Sequence, residues 1–289
     1  MGSPRLGIAL GSGSARGWAH IGVLRALQHA GIEPDLVCGT SIGAFVGAAF
    51  TSGKLDELED WVASLTRRDV LGFFDVGLGG GLIKGDRLLN FVAQRFLAGD
   101  FADLDRPFAC VATDLANGRE VWLKEGGLIS AVRASIALPG LFAPHQIGGR
   151  FLVDGGLVNP VPVSLCRALD ADVVVAVDLG MDTINLRLRK PGGEAGAQGW
   201  RHKVGRWLVR NGNGDGTPRP ALTDVVTNSV AIMQGRISRS RMAGEPADVL
   251  VAPRLGQMGL LDYQRGVDAI TAGRKATEHM LPLLHSLLE

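Results

Sequence analysis

Charge of one sign is the first thing this sequence lacks. Thirty Lys and Arg against 29 Asp and Glu leave a formal net charge of +1, whereas a dedicated nucleic-acid binder carries a marked basic excess. Nucleic acid is therefore not an expected partner. Cysteine is scarce as well: Cys38, Cys110 and Cys166 are the only three, each in apolar surroundings and none in a C-x-x-C pair. The odd count without metal-ligand spacing reads as reduced, buried thiols of a cytosolic protein, and points to neither a metal nor thiol catalysis. Aromatic residues make up 6% and charged residues 20%, against 46% apolar, a balance that suits a globular α/β protein. No run approaches the ~18 apolar residues of a membrane span. The opening MGSPRLGIALGSGSARG lacks the apolar core of a signal peptide, because Gly11 and Ser12 interrupt it. The expectation is a single soluble domain over residues 1–289, at most lying on a membrane.

What the chain has in excess is glycine, 41 of 289 residues, much of it clustered where short apolar segments end. Leu6–Leu10 reads as a strand running into Gly11–Gly17. Ile21, Leu24 and Leu27 then recur at helical spacing within Trp18–Ala30, until Gly31 stops the pattern. Leu36–Cys38 reads as a second buried strand, followed by GTSIG (Gly39–Gly43) and an apolar helix over Ala44–Phe50. Leu55–Leu65 and Arg87–Leu97 read as further helices. Strands are expected again at Phe108–Ala112, Glu120–Leu123, Phe151–Val153, Val173–Val177 and Val249–Val251. Short, nearly all-apolar strands between helices predict an α/β fold: a mainly parallel sheet covered on both faces, in three layers α/β/α. Ligands of such sheets collect beyond the carboxyl ends of the strands, where the first two glycine-rich loops lie.

Three stretches on that edge carry the candidate chemistry. Gly11-Ser-Gly-Ser-Ala-Arg-Gly17 points successive amide N–H groups into one concavity, suited to a phosphate or a developing oxyanion. Its G-x-G-x-x-x-G spacing, with a second strand that ends in GTSIG, disfavours a dinucleotide site; a plain tight turn is the bland alternative. GTSIG has the G-x-S-x-G pattern, in which a sharp turn presents a serine hydroxyl between flanking glycines. A glycine-rich chain can match it by chance, so Ser41 needs a partner base. His202 lies in a polar insert and His279 and His285 in a C-terminal helical stretch, while His20 and His29 read as helix positions and His145 as a loop support. A Ser-His-Asp triad is therefore poorly supported. Asp154 ends the strand-like FLV, and Gly155-Gly156 let the backbone turn so that the carboxylate projects at the sheet edge. An Asp-Gly pair alone is a common turn; beside the other two loops it makes Asp154 the better-placed partner.

The order GSGSARG, GTSIG, DGG resembles the patatin-like phospholipase family. ASIALPGLFAPHQIGGRFLVDGGLVNPVPV (Ala134–Val163) resembles that family's approach to its catalytic aspartate. SRMAGEPADVLVAP (Ser240–Pro253) is similar to the C-terminal part of bacterial members related to neuropathy target esterase, of the RssA type. Ser12 and Ser14 depart from the family's near-unbroken glycine run, a change that keeps the amide donors and alters the loop's shape. The resemblance implies a serine acyl hydrolase of the phospholipase A or lysophospholipase kind, with Ser41 and Asp154 as a dyad and no cofactor. It also implies an oxyanion hole from the amides of Gly11, Ser12, Gly13 and Ser14 with that of Ile42. Arg16, Gly17, Gly39, Gly43, Gly155 and Gly156 support these motifs. The expected partner is a lipid or acyl-ester substrate. An acyltransferase built on the same serine elbow, or a non-catalytic membrane-associated regulator, would fit the same residues.

Two segments bear on substrate access. Gly77–Leu88, GLGGGLIKGDRL, is either a flexible connector or a lid over the acyl site. The stretch 186–222 holds eight Lys and Arg, several glycines and the polar run NGNGDGTPRP, and reads as a flexible basic insert. Within it Trp200, Val204, Trp207 and Leu208 fall on one helical face, with Arg201, Lys203, Arg206 and Arg210 on the remainder. Such a helix either lies on anionic lipid or docks on its own domain. The first alternative gives a cytoplasmic protein with peripheral contact at the inner membrane face. Each basic residue near an anionic surface contributes ~1 kcal/mol. Replacing these four with Glu should then lower turnover on anionic vesicles and spare short soluble esters; equal loss on both substrates would make the helix structural.

Overall fold

The computed structural model describes residues 4–73, 93–181 and 222–289. The candidate lid Gly77–Leu88 and nearly all of the basic insert lie outside the described residues, as does most of the expected helix Arg87–Leu97. Eight strands are present among the described residues: β1 (Leu6–Leu10), β2 (Leu36–Thr40), β3 (Phe108–Asp114), β4 (Glu120–Leu123), β5 (His145–Ile147), β6 (Arg150–Asp154), β7 (Val173–Val177) and β8 (Val249–Val251). The named helices among the described residues are α1 (Ala19–His29), α2 (Ile42–Thr51), α3 (Leu55–Ser64), α4 (Arg67–Phe73), α5 (Leu128–Ser135), α6 (Val163–Ala168), α7 (Leu222–Gly244), α8 (Gly266–Glu278) and α9 (Leu281–Leu288), and residues 93–96 are helical as well.

The strands form one mixed sheet in the order β5-β6-β3-β2-β1-β7-β8, with β4 also paired to β3. From β3 to β8 along this order every pairing is parallel; β4, β5 and β6 join antiparallel. Strands β1, β2, β3 and β7 are buried at every residue. Their nearly unbroken apolar sequences follow from this, because alternate side chains enter two different cores. Ile8, Leu10, Val37, Val175 and Val177 pack on one face with α1, α2, α3 and α8. Ala9, Leu36, Cys38, Val174 and Ala176 pack on the other with α6. The result is the three-layer α/β/α architecture. Helix α2 is apolar all round and entirely buried, as expected of a helix enclosed by the sheet and its neighbours.

The register of β3 decides where the loops meet. Ala112 and Thr113 pair with both β4 and β6, and Cys110 and Val111 pair with both β2 and β4. A strand has two edges, so β4 occupies one and β2 and β6 share the other. β2 follows that edge up to the pair Thr40–Val111, and β6 comes down it to the pair Asp154–Ala112. The carboxyl ends of β2 and β6 are therefore adjacent.

Helix α1, which follows the glycine-rich loop after β1, is fixed by an unusually close crossing with α8. A Cβ on Gly22 would stand 1.9 Å from the Ile270 carbonyl oxygen, and one on Gly273 would stand 2.0 Å from that of Ala19. Backbone cannot yield to these contacts without moving a helix. Gly22→Ala should therefore cost about 1–3 kcal/mol in chemical denaturation, the scale of overpacking, although alanine is the better helix former by ~1 kcal/mol. A stabilised variant would show that the crossing relaxes freely.

Candidate active site

Ser41 joins β2 to α2 with φ 58° and ψ −124°. This region costs a residue other than glycine roughly 1–3 kcal/mol, and it turns the hydroxyl out of the chain's path. The turn closes because its neighbours have no side chains: a Cβ on Gly39 would lie 2.5 Å from Ala44 Cα, and one on Gly43 would lie 2.1 Å from the Leu10 carbonyl oxygen. The Ser41 amide donates to Ser135 Oγ at 2.9 Å. Its hydroxyl donates to Asp154 Oδ2 at 2.6 Å.

Asp154 is fully buried at the end of β6. Its amide donates to the Ala137 carbonyl at 3.0 Å, and its carbonyl accepts from Thr113 Oγ1 at 2.8 Å. Oδ1 accepts from the Gly156 amide at 2.7 Å, leaving Oδ2 to Ser41. Burial pushes the carboxyl up to about 6, against the opposing pull of the hydrogen bonds from Ser41 and Gly156. Gly155 is required by close approach, since its Cβ would stand 2.2 Å from the Val111 carbonyl oxygen.

The loop after β1 wraps the third side. Gly11 donates its amide to the Val177 carbonyl at 3.1 Å, Ser12 to that of Pro160 at 2.8 Å, Ala15 to that of Leu260 at 3.1 Å and Arg16 to that of Gly13 at 3.2 Å. The expectation of an oxyanion hole including Gly11 and Ser12 is thereby corrected: their N–H groups are already spent on holding the loop. Among the described residues the amides of Gly13, Ser14 and Ile42 have no hydrogen-bond partner, and all three residues line the same cleft as Ser41 and Asp154. Ile42 is also the first residue of α2, where the helix presents unsatisfied N–H groups and a partial positive charge. Arg16 is buried and donates Nε to the Met258 carbonyl at 2.9 Å. Gly17 makes room for the Ile42 side chain, 2.2 Å from where its Cβ would be.

Away from this polar end the cleft is walled by Trp18, Phe45, Trp61, Leu65, Val132 and Leu141. The Trp18 ring lies 6.4 Å from Phe45, 6.1 Å from Trp61 and 5.9 Å from Tyr263, centroid to centroid. The cleft is thus apolar along this wall and polar only beside Ser41 and Asp154. No histidine lines the cleft among the described residues. His20 sits behind the loop, its Nε2 2.7 Å from the Gly11 carbonyl oxygen. Burial pushes it down to about 4, so it is a neutral Nε2–H donor there. His145 stands beside Ser130 Oγ at 2.8 Å. Among the described residues no group of three or more His, Cys, Asp or Glu side chains is placed to hold a metal.

Sequence reasoning did not single out Ser135, Thr113, Gln234 or Tyr263. Ser135 stands in the same ASIALPG stretch that carries the family resemblance, which is the one signal that could have found it. Gln234 and Tyr263 come from segments with no motif of their own.

The patatin-like phospholipase family model matches residues 8–167, more than half of the chain and inclusive of both loops, Ser41 and Asp154. An uncharacterised NTE family protein of Mycobacterium tuberculosis is 32% identical over 94% of this chain and 90% of its own length. The lysophospholipase NTE1 of Coccidioides immitis is 28% identical over 96% of this chain, which spans only 18% of that protein. Human patatin-like phospholipase domain-containing protein 6 is 35% identical over 61% of this chain and 13% of its own length. With its motifs folded into one cleft, the chain belongs to the patatin-like phospholipase family.

Proposed function

We propose that the protein hydrolyses fatty-acyl esters of lipids, with Ser41 as nucleophile and Asp154 as its base. The observation that carries this reading is the 2.6 Å hydrogen bond from the Ser41 hydroxyl to a fully buried carboxylate. Names among the relatives, lysophospholipase and patatin-like phospholipase, agree with an apolar channel that ends at these two residues. The same channel favours a long-chain acyl group over a small polar ester.

The reaction follows from the groups in place. Ser41 Oγ attacks the ester carbonyl carbon while its proton passes to Asp154 Oδ2. The carbonyl oxygen becomes an oxyanion opposite the amides of Gly13 and Ser14, with that of Ile42. Collapse of the tetrahedral intermediate breaks the ester bond, and the departing alcohol or lysolipid oxygen takes the proton from Asp154. Water then attacks acyl-Ser41 and gives a proton to Asp154, and release of the fatty acid returns that proton to Ser41. An ordinary aspartate is a weak base for a hydroxyl, with a pKa of ~3.9. Desolvation lifts this one toward neutrality, which improves the match. No helix among the described residues is long and apolar enough to cross a membrane; in this reading the lipid is taken from a surface against which the protein rests.

Ser41→Ala and Asp154→Asn should each lower ester turnover by about 10³-fold or more, with a folded protein by circular dichroism. Fluorophosphonate labelling of the parent should vanish in Ser41→Ala. Near-parental rates in either variant would rule out the dyad.

The raised carboxyl has two signed consequences. Activity needs the ionised form, so kcat/KM should fall on the acid side with an apparent pKa near 6. Stability runs the other way. A carboxyl raised from 3.8 to about 6 on folding favours the folded state while protonated, and that contribution is lost as pH rises through 6. At pH 8 Asp154→Asn should therefore be more stable than the parent in chemical denaturation, by up to about 3 kcal/mol. At pH 4 the two should nearly coincide. An equal gap at both pH values would contradict the burial cost.

A further inference from the structure

The oxyanion loop is held from outside, by residues far along the chain. Ser14 is not glycine, yet it stands at φ 52°, in the left-handed region that L side chains avoid. Its side chain shares a 2.8 Å hydrogen bond with the Tyr263 hydroxyl. Around it the segment carrying Tyr263 makes three more contacts with the same turn. Ala15 donates to the Leu260 carbonyl at 3.1 Å, Arg16 Nε to that of Met258 at 2.9 Å and Trp18 Nε1 to that of Tyr263 at 3.2 Å. A second tie comes from α7. Ser12 Oγ donates to Gln234 Oε1 at 3.2 Å, and Gln234 Nε2 occupies the space that a side chain on Gly156 would fill. Gln234 and Tyr263 both line the cleft.

We infer that Tyr263 and Gln234 are positioning residues for acyl transfer, fixing Ser14 and Ser12 so that the free amides of Gly13 and Ser14 face the oxygen of the tetrahedral intermediate. This role rests on the proposed ester hydrolysis. Tyr263 is the principal tie, because it acts on the residue that carries a free amide and an unfavourable φ together. Without the hydroxyl contact, Ser14 has less to keep it in that conformation. Relaxation to negative φ rotates the peptide plane between Gly13 and Ser14, and the Ser14 N–H turns with it. An oxyanion donor acts only when it is aligned before the charge develops. The loss therefore falls on the transition state and spares ground-state binding. Tyr263 also suits the task at any working pH. Burial raises its phenol, the Ser14 hydrogen bond opposes this and the Asp154 charge raises it further, so the ring stays neutral and the hydroxyl keeps its proton.

The test uses the full chain and p-nitrophenyl butyrate, with parent, Tyr263→Phe, Ser14→Ala and the double variant compared. Tyr263→Phe should lower kcat about 10-fold, a fraction of the 10²–10³ lost with a whole oxyanion donor, and leave KM within about twofold. The double variant should fall no further than the worse single variant, because one hydrogen bond joins the two positions. Ser14→Gly, which removes the hydroxyl and the φ penalty together, should lose less than Ser14→Ala. An unchanged kcat in Tyr263→Phe, or multiplicative losses in the double variant, would overturn the positioning role while leaving the Ser41–Asp154 reaction standing. A parent protein that turns over no ester would overturn the reaction and this role with it. If Tyr263→Phe unfolds early, the Ser14→Gly and Ser14→Ala pair still decides: equal losses in the two would overturn the coupling between hydroxyl tie and backbone conformation.

Discussion

Along one edge of β3, β2 runs up and β6 runs down, and their carboxyl ends meet between Val111 and Ala112. That meeting places the hydroxyl of Ser41 2.6 Å from a carboxylate 113 residues away in sequence. Both partners extend strands whose register is set by main-chain ladders, so neither side chain needs a flexible loop to find the other. The carbonyl of Asp154 is tied to Thr113 and its amide to Ala137, which fixes the carboxylate's origin. A sheet with only parallel strands could not do this, because its strands would point their carboxyl ends in the same direction, side by side. The antiparallel intrusion of β6 makes the head-to-head contact.

Two costly states coexist at that contact: a serine at φ 58° and a carboxylate without water. Neither would persist unless the surroundings left no cheaper arrangement. Rigidity comes from backbone meeting backbone, as where Gly43 lies against the Leu10 carbonyl and Gly155 against that of Val111. The turn after Asp154 is locked in addition by side chains. Thr40 Oγ1 donates to the Asn159 carbonyl at 2.9 Å, Asn159 Nδ2 donates to Glu120 Oε1 at 2.7 Å, and Arg241 reaches both Glu120 and the Val158 carbonyl. Strand β2, β4, the Asp154 turn and α7 are thereby joined in one polar network beneath the site.

Much of this was legible in the sequence, for reasons that can be named. The parallel strands announce themselves because burial on both faces demands unbroken apolar runs, and Leu6–Leu10 and Val173–Val177 were readable to the residue. Ser41 and Asp154 could be singled out because the turns that carry them need glycines at fixed offsets. The short β5 (His145–Ile147) was not legible: three residues of mixed polarity at a sheet edge carry no period. The choice among oxyanion donors was illegible for a different reason. Every amide of Gly11–Ser14 is equivalent as text, and only the positions of the Val177 and Pro160 carbonyls show which two are spent. Gln234 and Tyr263 were missed because a side chain that acts by long-range contact leaves no local pattern. The basic insert, whose amphipathic stretch the sequence leaves between a lipid surface and the chain's own domain, lies almost entirely outside the described residues.

The family model ends at residue 167, and Ser41 and Asp154, the proposed nucleophile and base, both fall within it. The loop that would stabilise the oxyanion is nevertheless anchored largely by residues beyond that boundary. Gly11 is held by the carbonyl of Val177, Ala15 by that of Leu260 and Arg16 by that of Met258, while Ser12 and Ser14 are held by the side chains of Gln234 and Tyr263. Helix α1, which continues from this loop, is seated on α8 through Gly22 and Gly273. The matched segment thus supplies the proposed reacting groups, and the remainder supplies the frame against which one of its loops is aligned. Three of the frame's five loop anchors are backbone carbonyls, which any side chain can accompany, so the side-chain demands on the frame concentrate at Gln234, Tyr263 and Gly273.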